Sequence, residues 1–85
     1  MYFTYVLYSK SHNRFYAGMS ADISKRVAEH NAGKTKSTKG YRPWELLFAE
    51  EFSTRIEARE RELYLKTGAG REYVQSYFEK HFGKE

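Results

Sequence analysis

The apolar positions of this chain change period several times, and each change marks an element. Residues 2–9 (YFTYVLYS) are rich in β-branched and aromatic side chains and read as a strand. Lys10-Ser11-His12-Asn13 is a turn cluster, and residues 14–19 (RFYAGM) make a second strand, the expected hairpin partner of the first. Gly18 near its end points to a bend or a close approach of backbone or ligand. At Ser20 and Asp22, both good N-caps, the period shifts. Ile23 and Val27 lie four apart, as do Arg26 and His30, which gives a helix over about 22–31 with an apolar side and an Arg/His side. Asn31-Ala32-Gly33 closes it.

A loop over 33–43 follows and ends at Pro43, which bars a helix there and biases Arg42 toward an extended conformation. Residues 44–52 (WELLFAEEF) fit either strand or helix. Trp44, Leu46, Phe48 and Phe52 alternate, broken only by Glu50, and with Pro43 just before them a strand is favoured. Thr54 and Glu57 form a capping-box signature for a helix over about 55–66. Ala58, Leu65 and Ile56 line part of one face, with Glu57, Arg59, Glu60 and Arg61 mostly outside. Thr67-Gly68-Ala69-Gly70 ends it, with Gly68 the expected C-cap. A last helix over about 71–82 carries Val74, Tyr77, Phe78, His81 and Phe82 on one face. The order β-β-α-β-α-α predicts an α/β fold: a small three-stranded, mainly antiparallel sheet flanked by helices. Val6, Phe15, Val27, Leu46, Phe48, Leu65 and Val74 are expected in its hydrophobic layer.

Size sharpens this picture. Eighty-five residues make one domain, and a chain this short buries only roughly 60–65% of its unfolded surface. Its small core leans on large side chains, supplied by eight tyrosines, six phenylalanines and Trp44. Without cysteine there is no disulfide or thiolate-bound metal, which suits a reducing cytosol. No signal peptide is visible and no stretch is apolar enough to span a bilayer, so a cytoplasmic protein without a membrane partner is expected.

The net charge of +4 mildly favours an anionic partner such as nucleic acid. Its distribution says more. Lys34, Lys36, Lys39 and Arg42 share a segment free of acids and broken by glycine, serine and threonine, a flexible basic loop suited to facing phosphates. Tyr41 is available there to stack on a base. A solvated loop that needs charge for solubility explains the same residues.

Several side chains suit the parts of phosphodiester hydrolysis. A phenol (Tyr5, Tyr16) can take or position a proton. A guanidinium (Arg26) can hold a phosphate through its fork of donors. An imidazole (His30) can relay a proton, and a carboxylate (Glu62) can hold a hard divalent ion. Taken one at a time, each has a plain structural explanation. The tyrosines fit half-buried strand positions, Arg26 and His30 fit a solvated helix face, and Glu62 with Lys66 fits a surface i,i+4 pair.

The ordered set resembles the GIY-YIG nuclease domain, in its small stand-alone members, from about Thr4 to Val74. Phe3-Thr4-Tyr5 stands where the family has its GIY triplet, and Tyr16-Ala17-Gly18 stands for YIG, with ten residues between the two tyrosines. Asp22 to Gly33 looks like the helix carrying the family's arginine and histidine. Ser37-Thr38-Lys39 through Arg42-Pro43-Trp44 resembles the loop of the stand-alone members. Ala58 to Lys66 matches the helix whose metal-binding glutamate falls on Glu62, and Thr67 to Arg71 also looks like these members. The first triplet lacks glycine and isoleucine, which bears on strand packing. No asparagine follows Asn31, although larger members carry one after the glutamate helix.

The resemblance implies a metal-dependent endonuclease acting on DNA with low intrinsic sequence specificity. Glu62 would hold a single Mg2+ or Mn2+ and Arg26 would clamp the scissile phosphate. Tyr5 would take the water's proton with help from His30, its pKa lowered from about 10 by nearby cations. Tyr16 would position the water or a phosphate oxygen, and the two tyrosines could exchange roles. Lys34, Lys36, Lys39, Arg42, Lys66 and Arg71 would touch the nucleic-acid backbone. A non-catalytic or weakly active nucleic-acid-binding module on the same fold is the alternative. A small RNA- or ribosome-associated protein explains the charge and aromatics but not the ordered set. A monomer or weak homodimer is expected, with no obligate protein partner.

Overall fold

The computed structural model describes residues 1–82. Three strands, β1 (Tyr2–Ser9), β2 (Arg14–Ser20) and β3 (Glu45–Phe52), form one antiparallel sheet in the order β2-β1-β3. The helices are α1 (Ile23–Asn31), a single turn α2 (Lys36–Lys39), α3 (Arg55–Leu65) and α4 (Gly68–His81). The α/β class and the expected order hold, with α2 added inside the 33–43 loop.

β1 is the central strand, paired along both edges, and both of its faces are covered. Its alternating side chains divide between two apolar clusters. Val6 packs with Leu47, Leu65 and Val74 under α3 and α4, with Tyr8, Phe15, Phe48, Tyr77 and Phe78 around them. Tyr5 and Leu7 pack with Trp44 on the other face, where Tyr16, Val27 and Tyr41 join them. Tyr8, Phe15 and Phe78 meet at ring separations of 4.5–5.5 Å, the offset and edge-on contacts that aromatic quadrupoles favour.

Four expectations about packing change. In β3 the register with β1 pairs Phe48 with Val6 but Leu46 with Leu7, which leaves Leu47 as an extra residue in a bulge. A bulge reverses the in–out phase, so Leu47 is buried and Leu46 is 45% exposed. Ile56 is 71% exposed, because Ala58, Glu62 and Leu65 define the inner face of α3. Phe82 stacks on Phe78 but stays largely exposed at the end of α4. Finally, α4 starts at Gly68 rather than near 71. Thr67 is its N-cap, accepting from the Gly70 N–H at 3.1 Å, and Lys66 rather than Gly68 caps α3. Gly70 makes this abrupt joint possible. A Cβ there would collide with the Tyr64 carbonyl and lie 2.5 Å from Leu65 Cα.

Local signals hold elsewhere. Asp22 caps α1 by accepting from the Lys25 N–H, and Thr54 with Glu57 completes a reciprocal capping box on α3. Gly33 adopts φ +80 just past α1, a conformation that glycine tolerates best.

Candidate active site

Tyr5 and Gly18 are cross-strand partners in β1 and β2. The Tyr5 ring fills the space that a side chain at position 18 would take, since a Cβ there would lie 2.6 Å from its hydroxyl. From α1, His30 reaches the same point, and its Nε2 lies 3.0 Å from the Tyr5 hydroxyl. The other ring nitrogen, Nδ1, lies 2.8 Å from Thr38 Oγ1. Thr38 donates its own proton to the Thr35 carbonyl at 3.3 Å. A hydroxyl has one proton, so Thr38 must accept from Nδ1–H. The neutral imidazole then has a bare Nε2, which accepts from the Tyr5 phenol. This directional chain, Tyr5 to His30 to Thr38 to the Thr35 carbonyl, is almost wholly enclosed from Tyr5 to Thr38.

Enclosure sets the protonation states. Burial, and next the neighbouring Tyr16 phenol, push the Tyr5 pKa up to about 12, although the nearby Arg26 charge opposes this. The expected lowering by cations is therefore reversed, because desolvation outweighs it. Burial, helped by the positive Arg26, pushes the His30 pKa below its ordinary value. The resting pair is a neutral phenol donating to a neutral imidazole.

Tyr16 is half-buried beside this pair, its ring 5.0 Å from the His30 ring. Arg26, one turn before His30 on α1, bonds Glu29 at 2.9 Å and remains partly exposed. That pairing holds the Glu29 carboxyl below the usual range and the Arg26 guanidinium above its own.

α3 approaches from the other side of the sheet. Thr4 donates to the Ala58 carbonyl at 2.7 Å and ties the helix to β1. One turn on, Glu62 is buried, and its charge is close enough to contribute to raising the Tyr5 pKa. Its two oxygens accept from Arg59 at 3.2 Å and Lys66 at 2.9 Å. Lys66 also lies 5.7 Å over the Tyr16 ring. Tyr5, Tyr16, Arg26 and His30 thus lie on one face of the β1–β2 pair, and Lys66 reaches Tyr16 from α3, beside Glu62. Arg71 lines a groove with Tyr16 and Lys66.

The basic loop lies apart from that groove. Lys39 and Arg42 border a shallow depression with Asn31 and Pro43, while Lys36 is exposed on α2. Lys34 follows α1 near Glu29. Nor is this loop free. Asn31 bonds both backbone groups of Trp44, the Trp44 indole donates to the Thr38 carbonyl, and Ser9 donates to the Tyr41 carbonyl. Tyr41 packs against Trp44, with the Arg14 guanidinium 4.5 Å from its ring, so it serves the core before any base. Thr38 is the site residue that residue types did not reveal. It follows His30 by eight positions across an irregular turn, and no periodicity connects them.

A family model described as the GIY-YIG catalytic domain matches residues 1–77. The chain belongs to the GIY-YIG family. Within it, the chain is 52% identical to the UPF0213 protein YazA of Bacillus subtilis (strain 168) over 66 residues, 76% of this chain and just under two thirds, 66%, of YazA. It is 40% identical to the UPF0213 protein SH2523 of Staphylococcus haemolyticus, covering 78% of this chain and 80% of that one. The solution NMR structure of the UPF0213 protein BH0048 from Bacillus halodurans superposes with a TM-score of 0.53 at 29% identity, covering 89% of this chain and 84% of the other. Tyr5 and Tyr16-Ala17-Gly18, expected to stand at the GIY and YIG positions, lie on adjacent strands within the family match. No helix among the described residues is long and apolar enough to cross a membrane.

Proposed function

We propose that this GIY-YIG protein is a metal-dependent endonuclease that hydrolyses DNA phosphodiester bonds with little sequence preference of its own. The observation that carries this reading is the buried Tyr5–His30 bond, with the nearly enclosed Glu62 carboxylate within electrostatic reach of Tyr5. A structural role alone does not require a titratable pair and a carboxylate to be buried within electrostatic reach of each other, since burying such groups is costly.

The residues divide the work. As water attacks phosphorus, its proton passes to the Tyr5 oxygen while the Tyr5 proton passes to His30 Nε2. Thr38 holds the ring through Nδ1, so the imidazolium that forms keeps a hydrogen bond at each nitrogen. Arg26 exchanges Glu29 for the scissile phosphate, an exchange eased by the partial exposure of both side chains. Tyr16, open to solvent on one side, orients the water or a phosphate oxygen.

Glu62 suits a hydrated divalent ion. It offers hard oxygens, and its present partners are surface cations, Arg59 and Lys66, whose side chains are 59% and 45% exposed and free to swing away. Among the described residues no three His, Cys, Asp or Glu side chains cluster as a metal cage, and one carboxylate with several waters is the arrangement proposed. Mg2+ or Mn2+ there would supply Lewis-acid stabilisation of charge on the phosphate and the leaving 3′ oxygen.

Nicking of supercoiled plasmid with Mg2+ tests the reading. Wild type is expected to nick, and Glu62→Ala to lose activity on the order of 10²–10³ while still binding DNA. Undiminished nicking by Glu62→Ala would remove the role given to this carboxylate.

A further inference from the structure

Beside the site, a groove of about 550 Å³ runs between the outer edge of β2 and α3 with α4. That volume lies within the roughly 300–1,000 Å³ typical of pockets for small organic ligands. Its floor is apolar, with the half-buried Phe15 and Ala17 lying against the buried Val6, Leu65 and Val74 of the α3/α4 core. Its rim carries two cations, Lys66 and Arg71, and no carboxylate lines it. Arg71 forms no ion pair within the described residues, whereas the Arg14 guanidinium lies 4.5 Å over the Tyr41 ring and is held there. Two amides line it, Asn13 from the β1–β2 turn and Gln75 from α4, whose side-chain N–H donates to Glu79 at 3.1 Å. β2 is an edge strand, so its outer N–H and C=O groups also lack a strand partner.

An apolar floor beside two cations, with amides at its border, matches a nucleotide in each part. We infer that this groove is a nucleotide pocket: the base lies over Phe15 and Ala17, and its phosphate rests on Arg71 and Lys66. The inference deepens the nuclease reading and rests on it for what the pocket serves, since Tyr16 and Lys66 belong to both places. A nucleotide flanking the cut would be held here while the scissile phosphate lies between Arg26 and Glu62. The basic depression near Arg42 is on a different wall and has no comparable apolar floor.

A titration of the full-length chain with deoxyadenosine 5′-monophosphate, followed by amide and methyl NMR, tests the pocket without any cleavage step. Shifts are expected at Ala17, Arg71 and Gln75 amides and at Val74 methyls. Inorganic phosphate should bind at least tenfold more weakly than the mononucleotide, because it leaves the floor unused. Arg71→Glu should weaken binding about tenfold or more. Gln75→Trp, a change at an exposed position that crowds the mouth without touching the core, should do the same. Glu51→Gln, an exposed change on β3 at the opposite edge of the sheet, should bind like wild type. Phosphate binding as tightly as the mononucleotide, shifts centred on Lys36 to Arg42, or an unaffected Arg71→Glu would each overturn the pocket. If the mononucleotide binds as described but no nucleic acid is cut, the pocket stands and the nuclease reading falls. If cutting is found without mononucleotide binding, the reverse holds.

Discussion

The Tyr5–His30–Thr38 chain stores its information in the direction of three protons. Thr38→Val would leave Nδ1–H buried without an acceptor, which costs about 1–3 kcal/mol. Urea unfolding should register that loss, and Thr38→Ser should restore most of it. The lowered His30 pKa fixes a sign as well. In the unfolded chain this histidine protonates near pH ~6.5, whereas the folded state resists until lower pH. The unfolded state therefore binds more protons in that window, and stability falls as pH drops below about 6.5. His30→Gln should flatten that acid slope in thermal melts taken from pH 8 to 5. At the other end, Tyr5 holds its proton to about pH 12 when folded, while an unfolded tyrosine releases it near ~10. Stability should decline as pH rises through that interval, and Tyr5→Phe should remove this contribution. Residue type and order made Tyr5, His30 and Glu62 legible as candidates. The protonation states were not legible, because cations along the sequence suggested an acidic phenol while the fold withdrew it from water. Thr38 was invisible for a related reason: its partner is fixed by how the 33–43 loop folds back, and residue spacing does not encode that return.

At the scale of elements, strand and helix types followed from period and caps, while phase and joints did not. β3 shows why. Alternation read straight through 44–52 places Leu46 inside, but the bulge at Leu47 adds one residue to the pleat and exchanges the two leucines. Leu47→Ala should therefore cost about 2–5 kcal/mol, whereas Leu46→Ala should stay within about 0.5 kcal/mol, a contrast that chemical denaturation resolves. The α3–α4 joint was misplaced because Thr67-Gly68-Ala69-Gly70 carries signals for both an end and a beginning. Packing decides between them. Gly70, not Gly68, is the glycine that geometry requires, since a Cβ at Gly68 meets nothing within 4 Å. Gly70→Ala should destabilise by roughly 1–3 kcal/mol through forced overpacking, and Gly68→Ala should be tolerated. Gly18 binds element to function: its missing side chain lets the Tyr5 phenol lie across β2. Gly18→Ala should displace that phenol and reduce cleavage more than it reduces stability.

For the whole molecule, the sheet separates two helix layers that the proposed nuclease reading joins in one site. α1 and α2 supply Arg26, His30 and Thr38 to one face. α3 brings Glu62 and Lys66 from the other, and the edge strand β2 leaves the passage between them open. This arrangement explains why a chain with so small a core can spend buried volume on polar groups. No buried side-chain nitrogen or oxygen among the described residues lacks a hydrogen-bond partner, so the polar interior adds little unpaired cost. Single-turnover plasmid nicking with Mg2+ by wild type, Tyr5→Phe, Glu62→Gln and the double variant tests this convergence most directly. Groups that serve one step are grossly non-additive, so each single variant should slow nicking on the order of 10²–10³, and the double variant should be no slower than the slower single within about threefold. Losses that multiply in the double variant, or a Glu62→Gln protein that nicks at the wild-type rate, would contradict a shared site.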